Sequence, residues 1–129
     1  MKLTGKAKEK FFEFTIKNYG FDEYVISYLK ETLQHALIID FFDSVGYGIS
    51  INIEMLNIAN SCVDECENCD ECYDIWKHKY EYIIYLISDS INKVNDYSTH
   101  ISDDYFKTRQ EATEKAIERA NEIYNETLA

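Results

Sequence analysis

Four cysteines, Cys62, Cys66, Cys69 and Cys72, fall within the eleven residues CVDECENCDEC, and the chain contains no others. Thiolates at this density can hold zinc or an iron–sulfur cluster, because sulfur is a soft anionic ligand and one short loop then supplies several donors. His78 lies close enough downstream to replace one thiolate. The spacing leaves only Glu67 and Asn68 between two short pairs, whereas zinc ribbons separate theirs by a dozen residues or more. A second arrangement uses the same residues without metal. Steps of four, three and three put Cys62, Cys66 and Cys69 on one helical face with Cys72 at its edge, and a free cysteine packs as a small apolar side chain. The interleaved acids attract a dication but also disfavour thiolates, which argues against a nucleophilic cysteine enzyme. The reading carried forward has no cofactor, with zinc or an iron–sulfur cluster on the four cysteines and His78 as the alternative.

The segment is more distinctive for charge than for ligands. The chain carries a formal net charge of −11 over 129 residues. From Glu31 to Trp76 there is no lysine or arginine, while Glu31, Asp40, Asp43, Glu54, Asp64, Glu65, Glu67, Asp70, Glu71 and Asp74 are acidic. That leaves 14 acids against 13 bases elsewhere, so nearly the whole imbalance belongs to one stretch. Its field disfavours direct binding to nucleic acid and favours a protein partner with a basic surface. Glu54, Asp64, Glu65, Glu67, Asp70, Glu71 and Asp74 form the expected interaction surface. A second carboxylate row, Glu114, Glu118, Glu122 and Glu126, repeats every four residues at about 6 Å, near the spacing of successive phosphates. Lys115 and Arg119 stand beside it, so a solvated helix face is the expectation there.

Other chemistry is thin. Glu31 and His35 stand four apart with Asp40 beyond, but a dinuclear carboxylate site needs repeated Glu-x-x-His motifs, and exposed polar residues on an amphipathic helix are expected instead. Asp103 and Asp104 read as turn residues. No G-x-S-x-G, P-loop or G-x-G-x-x-G is present, and four glycines in all exclude a phosphate cradle. The chain is expected not to be an enzyme.

Hydrophobic periodicity sets out the elements that position these residues. Lys6 to Asn18 reads as a helix that Gly20 ends. Asp22 caps a second helix whose apolar residues Val25, Ile26, Leu29, Leu33, Ala36, Leu37 and Phe41 recur near 3.6, with Gly46 as its stop. GISINIEM then alternates with period two, a half-buried strand, and KYEYIIYLIS reads as a second, better buried strand, although a helix also fits Tyr80, Ile83 or Ile84, Ile87, Ile91 and Val94. Asn92 to Asp104 reads as turn, and Tyr105 to Lys107 as a short third strand. Thr108 and Glu111 form a capping box, and Ala112, Ala116, Ala120 and Ile123 make a narrow stripe suited to close packing on a sheet. The result is an α+β fold of two N-terminal helices, a small antiparallel sheet of two or three strands, and a C-terminal helix packed on it. One domain is expected, with a cysteine- and acid-rich insertion at about residues 57–76 between the first two strands.

DFFDSVGYGISINI, followed by YFKTRQEATEKAIERANEIYN, resembles a loose group of small phage and prophage proteins with an FFDSVG-like helix end and a TRxEAxxxAIxxANEIYN-like terminal helix. The resemblance spans Asp40 to Ile53 and Tyr105 to Asn125. It implies an accessory protein of a mobile element and supplies no catalytic residues. Cys62, Cys66 and Cys69 also match the spacing that holds a cluster in radical enzymes of the SAM-dependent type. Those enzymes need a large barrel that a chain of this length cannot build.

Met1 to Gly20 alternates lysines with aromatics and lacks the apolar core of a secretory leader, and the longest apolar run is six residues. A cytoplasmic location is therefore expected, in the host cell if the protein is phage-encoded, where structural disulfides are disfavoured. The leading expectation is a non-enzymatic acidic protein that binds or inhibits a basic, nucleic-acid-handling macromolecule. A small cysteine-ligated metalloprotein and a virion component, the latter with homo-oligomerisation, are the alternatives.

Overall fold

Local signals account for most of the first helix, α1, over Gly5–Tyr19. Ala7, Phe11 and Thr15 recur every four residues and are the ones it buries. Gly20 adopts φ 70°, a left-handed conformation that costs glycine nothing, and returns its N–H to the Ile16 carbonyl at 3.0 Å. The start of the helix is different, because Thr4 makes no side-chain cap. The orphan N–H groups there are met from the far end of the chain. Asn125 accepts from Ala7 N at 2.9 Å, and Asn121 accepts from Thr4 N at 3.0 Å while donating to Thr4 Oγ1 at 2.9 Å. Gly5 has φ 62°, and a Cβ placed on it would meet Asn125 Oδ1 at 3.1 Å, so glycine lets this latch close.

Residues 2–57, 76–87 and 97–129 are described in the computed structural model, with the backbone alone for strand residues 54–57, 76–78, 87 and 97–99. After α1 come α2 (Glu23–Ser27), α3 (Glu31–Ser44), β1 (Tyr47–Asn57), β2 (Trp76–Ile87), β3 (Tyr97–Ile101) and α4 (Arg109–Leu128). The α+β architecture expected from the sequence is therefore the one found. Asp22 caps α2 by accepting from Val25 N at 2.9 Å, and Thr108 caps α4 by accepting from Glu111 N at 3.1 Å.

Two expectations need correction. The single helix expected from Asp22 towards Gly46 is broken between Ser27 and Glu31, with no glycine or proline at the break. Gln34 supplies the reason. Its side-chain amide donates to the carbonyls of Ile26 at 2.9 Å and Leu29 at 3.2 Å, satisfying acceptors that a continuing helix would have used. Lys30 turns extended, and α3 restarts with Ile38, Phe41 and Phe42 facing the core while Leu33 faces solvent. The third strand also lies elsewhere: it is Tyr97–Ile101, within the stretch expected to be turn, and Phe106 makes only an isolated bridge to Tyr80. Tyr, Thr and Ile carry strand propensity, and this strand pairs on one side only, so it needs little apolar content.

The sheet has order β1-β2-β3 and both pairs are antiparallel. Tyr47 stands opposite Leu86, Ile49 opposite Ile84 and Ile51 opposite Tyr82, so period-two alternation puts these residues on one face. That face meets α4, whose Ala112, Ala116, Ile117 and Ala120 are fully buried; the small alanines allow close approach. α3 packs on β1 and α4, and α1 packs on α3 and α4. The core between them centres on Phe11, Ile38, Phe41, Phe42, Ile84 and Ile117. Each of these side chains contributes on the order of 1.5–3 kcal/mol by leaving water.

Candidate functional site

The break between α2 and α3 has a consequence at the surface. It swings Leu29, Leu33, Ala36 and Leu37 away from one continuous buried stripe, and together with Tyr19 and Phe21 from the end of α1 they line a groove of about 550 Å³. Leu33 is 52% exposed on its wall. Tyr19 and Phe21 stack at 5.8 Å between ring centroids, which stiffens one side. At its far end the groove runs into a second hollow through the shared residues Tyr19 and Asp40, and there Phe14, Asn18, Asp43 and Ser44 complete the lining. Among the described residues Asp40 and Asp43 are the charged ones lining either half, and no lysine or arginine lines them. Ile16 on α1, Tyr24 and Val25 on α2, and Tyr28 just after it are further exposed apolar or aromatic side chains, with the Tyr24 and Tyr28 rings 4.8 Å apart. An apolar trough closed by carboxylates is chemically suited to an amphipathic segment that carries cationic residues at one end.

Asp40 is tied into the wall by Tyr19, whose hydroxyl donates to its carboxylate. That hydrogen bond, followed by local desolvation and the Asp40 charge, holds the Tyr19 phenol above its ordinary value near 10. The folded state thus favours the protonated phenol, so any stability from this link is complete below the free tyrosine value and is lost as pH rises through the folded one. Replacing Asp40 by Ala should bring the Tyr19 titration, followed by NMR of labelled tyrosines, back towards 10. A Tyr19 titration that does not move would show that Asp40 is not its partner in solution.

The carboxylate row on α4 behaves as its neighbours suggested. Glu118 bridges Lys2 and Lys115, both at 3.3 Å, and Glu122 pairs with Arg119 at 2.9 Å. Partial burial opposes ionisation of Glu118, but the two lysines outweigh it and hold the carboxyl below the usual range. The two middle members of the row, Glu118 and Glu122, are thus neutralised by neighbouring bases, which makes the row a poor imitation of phosphates.

Glu31 is exposed, as expected, but His35 is not. His35 is only 9% exposed, not a solvated polar residue, because α3 turns that face inward towards α4. Its Nε2 lies 3.8 Å from Glu31 Oε1, and Glu114 of α4 brings a third ligand atom, all three within 4.8 Å of one another. Sequence spacing could pair Glu31 with His35 but carried no signal that Glu114, 79 positions after His35, would join them.

Of the other sequence-based candidates, Cys62, Cys66, Cys69, Cys72, Asp64, Glu65, Glu67, Asp70, Glu71 and Asp74 lie outside the described residues. Two are placed by their backbones: Glu54 in β1 opposite Lys79, and His78 in β2 opposite Met55. The segment that carries the cysteines therefore joins two paired strands. Among the described residues no helix is long and apolar enough to cross a membrane. In comparisons with known proteins, no family model matches the chain, and no curated sequence or solved structure matches it.

Proposed function

We propose that the protein is a non-enzymatic interaction protein, an accessory factor of a phage or other mobile element that binds, and so inhibits, a basic nucleic-acid-handling partner. The observation that carries this reading is the groove between the end of α1 and α3, apolar from Phe21 to Leu37 and bounded at one end by Asp40 and Asp43, with no lysine or arginine among the described residues that line it. Its occupant is an amphipathic helix of the basic partner, with leucine-like side chains in the trough and lysine or arginine at the acidic end. The central acidic stretch, including Glu54, Asp64, Glu65, Glu67, Asp70, Glu71 and Asp74, supplies long-range attraction that speeds the encounter.

A synthetic helical peptide of leucine and lysine serves as the probe, with a leucine–glutamate counterpart and duplex DNA as controls. The lysine peptide should bind, and its affinity should fall steeply as salt rises from ~50 to ~500 mM, because screening removes the steering term. Neither control should bind. The variant Leu33→Glu separates groove docking from mere charge attraction: it makes the protein more acidic, yet it should weaken the lysine peptide by about tenfold or more, as an apolar contact is replaced by a charge. Tighter binding to Leu33→Glu, or affinity indifferent to salt, contradicts the proposal.

A further inference from the structure

We propose that Glu31, His35 and Glu114 form a zinc site that clamps the start of α3 to the second turn of α4, independent of the cysteines and of the groove. Three observations meet there. The three ligand atoms lie within 4.8 Å of one another, and Glu31 Oε1 is already 3.8 Å from His35 Nε2. Donors on a tetrahedral zinc at 2.0–2.2 Å stand about 3.3 Å apart, so small rotations of two glutamate side chains close the remaining gap.

The second observation is the histidine. Its side chain is largely buried, 11% exposed, and among the described residues it makes no hydrogen bond to protein, since 3.8 Å to Glu31 is beyond that reach. Among the described residues no buried polar side-chain atom lacks a partner, so the ring nitrogens keep contact with solvent, and an imidazole not committed to a protein hydrogen bond beside two carboxylates is a ready nitrogen donor to a cation. The third is the support around it. Gln110 donates to Glu31 Oε2 at 3.0 Å, which orients that carboxylate and leaves Oε1 towards His35. Lys2 lines the adjoining cavity of about 240 Å³, but its ammonium is paired with Glu118 at 3.3 Å.

The donor set selects the ion. Two carboxylates and a neutral imidazole carry a charge of −2, which one dication cancels, and the nitrogen donor favours zinc over calcium or magnesium. Three protein ligands leave a fourth position for water, as open zinc sites do.

The test is zinc chloride titrated into the full chain by calorimetry, comparing wild type with Glu114→Gln. Glu114 is partly exposed and glutamine preserves its volume, so folding is expected to survive, with circular dichroism as the check. Wild type should bind one equivalent more than the variant, whatever the cysteines take up. In parallel, the His35 imidazole nitrogen resonances should shift on adding zinc to wild type and stay fixed in Glu114→Gln. Equal stoichiometry in the two proteins, or unmoved His35 resonances in wild type, would overturn the site.

Discussion

Phe41→Ala should remove about 3–5 kcal/mol of stability, a large share of the roughly 5–15 kcal/mol that holds a domain of this size together. Phe41 is 1% exposed and sits where α1, α3 and α4 converge. Its ring meets Phe11 and Phe14 of α1 at 5.7 Å, Phe42 of α3 at 5.2 Å and Tyr124 of α4 at 5.9 Å. Truncation gives up the transfer free energy of a phenyl group and also leaves a cavity. Four aromatic neighbours from three helices cannot all collapse into it without moving their backbones. The measurement is urea unfolding, with the midpoint falling sharply and the slope little changed. Phe41→Leu, which keeps most of the volume, should cost much less. A loss below about 1 kcal/mol for Phe41→Ala would mean the aromatic cluster is not the centre of the core.

The second large effect lies at the latch between the chain ends. Asn121 is 6% exposed and makes two hydrogen bonds to Thr4, one through each side-chain atom. Asn121→Ala removes both hydrogen bonds to Thr4, each contributing about 0.5–1.5 kcal/mol net, and should cost about 1–3 kcal/mol. The loss should be local before it is global. Asn125 still accepts from Ala7, so the double variant with Asn125→Ala should fray the first turn of α1 further, read as lost hydrogen-exchange protection over the first residues of α1. If protection is lost evenly across α1, α3 and β2 instead, the asparagines support the core generally and do not serve as a cap.

These two predictions draw on different depths of sequence legibility. The glycine that ends α1, the caps at Asp22 and Thr108, and the alanine stripe of α4 are all local signals written within a few residues. They were readable. The latch was not, because Asn121 and Asn125 meet Thr4 and Ala7 across more than 115 positions, and asparagine within a helix carries no local sign of such a role. The break before α3 hides for a related reason. No helix breaker marks it; a glutamine eight residues beyond Ile26 makes the deciding hydrogen bond. Without that break the apolar stripe would be continuous and buried, and the groove would not exist. The same lack of long-range signal concealed Glu114 beside His35. The cysteine segment is the densest run of potential ligands in the sequence, while the groove and the Glu31, His35 and Glu114 cluster come from side chains the topology brings together.

Charge remains the link between the two views. A chain with net charge −11 is attracted to any basic surface, so affinity for a cationic peptide alone says little about where it docks. What distinguishes the account is the place of contact. The most direct measurement is a backbone-amide NMR titration of the isotope-labelled protein with the leucine–lysine peptide at ~150 mM salt, where long-range attraction is largely screened. The account predicts that the largest shifts fall on Tyr19, Phe21, Leu33, Leu37 and Asp40, the residues of the groove, with smaller changes along the acidic segment. Shifts confined to residues 54–74, with the groove silent, would contradict it.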